Sequence, residues 1–205
     1  MAFSKLKKYI NYFWSFLERS SYQLAYFLVT VAFARIYTPK EFGLLAILMS
    51  IIALCSVFID GGMGTRIIQK KTISNKELSS IFWLNLFVGV SLYFILFLFS
   101  GLIGKIYGEP ILVELIRLSS ISVIFNALSI VQYSLLIKKL KFKLIFYSSS
   151  VSLYISGAVS VALAVFTRSI YCIVAFFLIN SLLQCAAYWL ISKWYPKVYF
   201  NTRLI

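Results

Sequence analysis

Six runs of mostly apolar residues, long enough to cross a lipid bilayer as helices, constrain this chain more than any other feature. A spanning helix takes roughly 20 such residues. The runs cover 12–34, 43–59, 78–103, 111–137, 144–166 and 169–191. Short loops join them, so consecutive helices are expected to pack as antiparallel neighbours. Composition points the same way. Of 205 residues, 61% are hydrophobic and only 13% charged, whereas a soluble domain carries about a quarter charged residues. Too little polar material remains to clothe a water-soluble globule, so lipid is the expected solvent for much of the surface. The expected fold class is all-α: a polytopic membrane protein forming one transmembrane unit over 1–205, with six helices and no soluble domain.

The net charge is +14, from 20 Lys and Arg against 6 acids. In a soluble chain that excess would suggest nucleic acid. In a membrane chain it reads as anchoring and orientation, and no nucleic-acid partner is expected. Lys5, Lys7, Lys8, Arg66, Lys70, Lys71, Lys76, Lys138, Lys139, Lys141, Lys143, Lys193, Lys197 and Arg203 fall on one side of the alternating helices. Arg35, Lys40, Lys105 and Arg168 fall on the other. Because basic residues stay in the cytoplasm, this places both termini inside. Trp14, Trp83, Trp189 and Trp194 occupy the same inner ends, where amphipathic rings prefer the headgroup layer. The basic start is not expected to be a cleavable signal, since Glu18 and Arg19 interrupt the apolar run and no small-residue cleavage site follows. Thr38-Pro39-Lys40-Glu41 and Ser74-Asn75-Lys76-Glu77 read as capping boxes, Pro110 as a helix start, and Gly61, Gly62 and Gly64 as the end of the second helix.

No catalytic constellation is visible, so an enzyme is not expected. The chain lacks histidine, its three cysteines (Cys55, Cys172 and Cys185) sit singly in apolar runs, and no phosphate-cradling glycine loop or acidic metal cluster occurs. No cofactor or metal is expected. Charges inside the membrane are costly and are therefore functional candidates. Glu18, Arg19 and Gln23 lie in the first helix, where two readings stand: Arg19 snorkels to the cytoplasmic headgroups, or the three face a polar cavity. Glu114 and Arg117 are three residues apart, so they form a self-neutralising ion pair, or Arg117 lines an anion pathway. Asp60 and Arg66 flank the glycine turn and are expected to be solvated. Asn85, Asn126, Gln132, Asn180 and Gln184 are expected to bond helix to helix rather than to bind a ligand.

Several blocks resemble the oligosaccharide flippase (polysaccharide biosynthesis, Wzx-like) family of the multidrug/oligosaccharidyl-lipid/polysaccharide exporter superfamily. The most specific is Ala34-Arg35-Ile36-Tyr37-Thr38-Pro39-Lys40-Glu41-Phe42-Gly43-Leu44, similar to that family's junction between helices one and two. Trp14 to Arg19 with Gln23, Asp60 to Gly64, Ile68 to Lys71, Phe82 to Asn85, Gly108-Glu109-Pro110, Leu140 to Lys143, and Trp194 to Lys197 with Phe200 follow in the family's order. The turn Phe166-Thr167-Arg168-Ser169 departs by lacking glycine. Length departs further: family members carry twelve or more helices in two lobes, and this chain resembles the N-terminal lobe alone.

The resemblance implies translocation of a lipid-linked (undecaprenyl-diphosphate) oligosaccharide across the bacterial cytoplasmic membrane. Membrane lipid is then a partner, and a second six-helix lobe or a homodimer partner completes the path. Arg19, Arg35, Arg66 and Arg117, with Glu18 and Gln23, are the implied substrate contacts, since guanidinium matches diphosphate. The alternative is a truncated or non-transporting member of the same family, or an assembly subunit.

Overall fold

In a computed structural model of the chain, the backbone is described for residues 2–198 and the side chains for residues 13–198. The side chains of Lys5, Lys7 and Lys8, and Phe200 and Arg203, lie outside the described residues. Among the described residues eight helices follow in order: α1 (Ala2–Ile36), α2 (Pro39–Asp60), α3 (Met63–Gln69), α4 (Asn75–Tyr107), α5 (Pro110–Ser119), α6 (Ile121–Lys138), α7 (Phe142–Thr167) and α8 (Tyr171–Ser192). The described residues contain no strand.

The chain is an all-α polytopic membrane protein. Helices α2, α4, α7 and α8, and α5 with α6 taken together, are long and apolar enough to cross a membrane, with mean hydropathy from 1.8 to 2.7 in their most apolar stretches. Helix α1 has the length but carries Glu18 and Arg19. Only 11% of the apolar stretch of α4 is buried within the bundle. Phe87, Phe94, Leu98, Phe99, Leu102 and Ile106 of that helix therefore face outward, as lipid contact requires.

Helix boundaries follow the expected signals, with three refinements. The fourth run is two helices, which meet at Ser120 with no Pro or Gly between them. There the Ser120 hydroxyl donates to the Arg117 carbonyl at 2.8 Å and the Ser122 hydroxyl to the Ser119 carbonyl at 2.6 Å. Such side-chain competition for carbonyls bends helices. The short α3 lies in the second loop and was not anticipated. Thirdly, the Thr38 box is complete, with both side chains bonded across the turn, but the Ser74 box is half of one. The Ser74 hydroxyl accepts from the Glu77 N–H at 3.2 Å, while the Glu77 carboxylate turns away to Lys70 and Arg66. Two cations hold a buried carboxylate better than one backbone N–H.

The glycine-free turn is closed by Arg168, which takes a left-handed conformation (φ 49°) and donates its N–H to the Ala164 carbonyl. That is the position glycine usually fills. Gly61 (φ 46°) and Gly62 (φ 79°) end α2 as anticipated, whereas Gly64 lies inside α3.

Helix α1 packs on α7, α7 on α8, α8 on α6, and α6 on α4. Helix α2 leans on α4, α5 and α6 and scarcely touches α1. One end of the bundle gathers aromatic and basic groups. Phe82 meets Trp83, Trp189 and Trp194 edge-on. The Trp83 indole donates to the Lys197 carbonyl, tying the segment after α8 to the start of α4. Lys143 lies over Trp14, and the Lys138 ammonium donates to the Ile67 and Lys70 carbonyls, closing the end of α3. The opposite end is joined loop to loop. The Tyr37 hydroxyl donates to the Ser169 carbonyl at 2.7 Å, and Lys40 pairs with Glu109 at 2.6 Å. Burial, then the neighbouring Cys172 thiol, pushes the Tyr37 hydroxyl well above its ordinary pKa, so it remains a donor.

Candidate functional site

Because α1 and α2 scarcely touch, a cleft opens between them, floored by α6 and α8. It comprises two adjoining cavities of about 320 and 310 Å³ that share Tyr22, Ser56, Asn126 and Gln184. The first, nearer the tryptophan end, is also lined by Glu18, Ser129, Tyr133 and Tyr188. The second adds Tyr26, Ser122, Asn180, Ser181 and Phe176. Beyond it, towards the other end, Phe33, Leu44, Leu45, Leu48 and Phe176 pack into a dry core.

Each wall is built by helical periodicity. Glu18, Tyr22 and Tyr26 recur every four residues on α1, and Asn180, Gln184 and Tyr188 do the same on α8. Ser122, Asn126, Ser129 and Tyr133 follow the three-four spacing on α6. Residues at that spacing share one helix face. The rings of Tyr22 and Tyr26 stack at 6.2 Å, and those of Tyr133 and Tyr188 meet at 5.5 Å. The Gln184 amide donates to the Tyr188 hydroxyl at 3.2 Å, leaving that hydroxyl's own proton for an acceptor. Among the described residues, Glu18 in the first cavity is the single charged residue lining the cleft. Ile59 and Ile130 in the first cavity, and Met49, Ile52, Ala53 and Phe177 in the second, complete the walls, so the lining alternates apolar and aromatic faces with amides and hydroxyls, a mixture that suits a neutral ligand with both apolar faces and hydroxyl groups.

The charged candidates are dispersed. Glu18 faces the cleft. Arg19 and Gln23 share the next face of α1 and are exposed, with Arg19 within electrostatic reach of Tyr133. Arg35 is exposed at the far end of α1. Arg66 belongs to α3 and pairs with Glu77 at 3.3 Å. Asp60 accepts from the Gly64 N–H at 3.2 Å. Glu114 and Arg117 do not pair with each other. The Tyr171 hydroxyl donates to Glu114, on the α8 side. Arg117 Nε donates to the Ser100 hydroxyl at 2.9 Å, on the α4 side. Helix α5 lies between those two neighbours, so each side chain finds a nearer partner than the other.

Three of the five amides expected to join helices, Asn126, Asn180 and Gln184, line the cleft instead. Asn85 and Gln132 are fully buried between α4 and α6, and their side chains make no hydrogen bond. The cleft tyrosines and Ser56 were missed as site residues, although their spacing marks them. Among the described residues no group of three or more His, Cys, Asp and Glu is placed to hold a metal.

Residues 32–205 match the family model described as polysaccharide biosynthesis protein. Three relatives are similar to the chain. The succinoglycan biosynthesis transport protein ExoT of Rhizobium meliloti (strain 1021) is 23% identical over 95% of this chain and 40% of its own length. The lipopolysaccharide biosynthesis protein WzxC of Escherichia coli (strain K12) is 40% identical over 43% of this chain and 18% of its own length. An uncharacterized membrane protein in the cps region of Klebsiella pneumoniae is 30% identical over 86% of this chain and 36% of its own length. The chain thus spans less than half the length of each. No solved structure matches it.

Proposed function

Since the chain belongs to the polysaccharide biosynthesis protein family, we propose that it moves a lipid-linked oligosaccharide across the bacterial cytoplasmic membrane as one lobe of a flippase. The carrier is an undecaprenyl diphosphate, and a second six-helix lobe, or a second copy of this chain, closes the path. The helices cross six times with both termini inside. In that orientation the tryptophan and lysine end is cytoplasmic, in keeping with the positive-inside bias.

The cleft carries the proposal. A polar crevice in an otherwise apolar bundle has little purpose in a purely structural protein, since each polar wall costs free energy against lipid. Tyrosine faces stack on the apolar faces of sugar rings, while Asn126, Asn180, Gln184 and Ser56 exchange hydrogen bonds with sugar hydroxyls. Glu18 accepts from the same hydroxyls. Arg19, exposed beside the wall, meets the diphosphate where the glycan enters. No covalent bond needs to form or break, and the similar relatives are named for biosynthesis and transport rather than for a reaction.

The test is complementation of surface glycan in a flippase-null strain carrying the gene with its native neighbours. Asn126→Leu with Gln184→Leu is expected to lower surface glycan at least tenfold at unchanged protein level. Unchanged glycan would remove the cleft from the path. Failure of the unaltered chain to restore glycan, with or without a second lobe, favours the non-transporting reading.

A further inference from the structure

Arg117 lies outside the cleft, at the end of the bundle remote from the tryptophans, and its surroundings define a second site. Its guanidinium is fixed on two sides. Nε donates to the Ser100 hydroxyl at 2.9 Å, and the carbon of the group lies 4.6 Å from the centre of the Phe97 ring. Ser100 is fully buried and its hydroxyl donates in turn to the Phe97 carbonyl at 2.8 Å, so the anchor cannot swing. The side chain is nonetheless exposed. Around it Phe94, Phe97, Leu98 and Leu118 present an outward apolar surface, the kind that faces acyl chains.

A cation held against such a surface requires a counter-charge. The nearest acid along α5, Glu114, is taken by Tyr171 and makes no ion pair with Arg117. With Nε committed to Ser100, the two terminal nitrogens remain as donors on an exposed side chain. A guanidinium fork matches phosphate oxygens in pairs, and stacking on Phe97 fixes its plane in advance.

We propose that Arg117, Ser100 and Phe97 form a docking site for the phosphate of an anionic phospholipid in the leaflet at that end of the bundle. The site is separate from the cleft and does not depend on transport. It anchors the α4–α5 edge to the bilayer.

The test uses the protein extracted with its own membrane into polymer-bounded discs and then exchanged with phosphatidylglycerol or phosphatidylcholine. Bound lipid is counted by native mass spectrometry. The unaltered chain is expected to retain phosphatidylglycerol over phosphatidylcholine. Arg117→Gln is expected to lower that retention about fivefold, the usual worth of one basic group at an anionic surface. Arg117→Lys should fall between, and Arg168→Gln, which alters a cation at the same end, should leave retention unchanged. If Arg117→Gln lowers protein level, Ser100→Ala serves instead: it keeps the charge but frees the fork, and about a twofold loss is expected. Equal phosphatidylglycerol retention in both variants overturns the proposal. So does displacement of the bound phospholipid by an equimolar polyprenyl diphosphate, which would make this a carrier site.

Discussion

Glu77 is the sharpest place to test how the basic end of the bundle is held. Its carboxylate is 4% exposed and accepts from the Lys70 ammonium through both oxygens at 2.8 Å. It also faces Arg66 at 3.3 Å, so one acid on α4 holds the last turn and the C-cap of α3. Glu77→Gln removes the charge but preserves shape, and the Ser74 cap on the backbone N–H is untouched. Losing one partner of a fully buried pair costs about 3–5 kcal/mol. Here the two cations are 45% and 39% exposed, so water recovers part of that loss. A net cost of about 1–3 kcal/mol is expected. At roughly 2–4 °C per kcal/mol for a chain of this size, the apparent Tm should fall by about 2–12 °C. Thermal unfolding of the purified protein, followed by loss of the monodisperse peak on size exclusion, measures it. A double-mutant cycle adds direction: coupling of Glu77 to Lys70 should exceed coupling to Arg66, because its contact is shorter and engages both oxygens. A Glu77→Gln variant melting within about 1 °C of the parent would refute the reasoning.

Three further outcomes follow from packing and backbone geometry. A Cβ at Gly157 would stand 2.6 Å from Val29 Cγ2, on a branched side chain that cannot swing aside, so Gly157→Leu should cost about 1–3 kcal/mol and Val29→Ala should restore part of it in the same thermal assay. Arg168 holds a left-handed backbone, so Arg168→Gly should raise stability by up to about 1 kcal/mol and Arg168→Val should lower it, as read by apparent Tm. Tyr37→Phe removes the hydrogen bond to the α7–α8 turn and should cost about 0.5–1.5 kcal/mol, detectable as faster amide exchange at residues 168–171.

Spans and turns were legible in the sequence because lipid imposes a length on every crossing, and because capping chemistry is local. Thr38 with Glu41, and Gly61 with Gly62, need nothing beyond their own neighbourhood to be read. The bend at Ser120 was not legible. Its cause is hydroxyls bonding carbonyls one turn back, and serines that do so look like serines that do not. The partners of Arg117 and Glu114 were hidden for a different reason. Spacing along α5 allows them to pair, but α4 and α8 supply Ser100 and Tyr171, and only packing brings those helices alongside. The cleft lies in between. Its polar stripes on α1, α6 and α8 can be read residue by residue, whereas formal charge points to Arg19, Arg35, Arg66 and Arg117, which do not line it.

Where the cleft opens is decided by small residues elsewhere. Gly157 lets α7 approach Val29 of α1, and Gly89 lets α4 approach Ala127 of α6, each so closely that an added Cβ would collide. Those two seams close by backbone proximity, the means available to helices in lipid. Gly43 and Gly101 have open space where a Cβ would go and draw no helix in. The seam between α1 and α2 has no comparable contact, so it stays apart along the half that holds Glu18, Tyr22 and Ser56. In the other half, apolar side chains from α1, α2 and α8 fill the gap. An open seam lined with apolar residues would simply take up acyl chains. The hydroxyls, amides and phenols set among its apolar side chains instead give this one donors and acceptors for water and polyols. Glycine placement and polar placement thus act together: one closes the α1–α7 and α4–α6 seams, and the other sets amides, hydroxyls and phenols among the apolar side chains of the α1–α2 cleft.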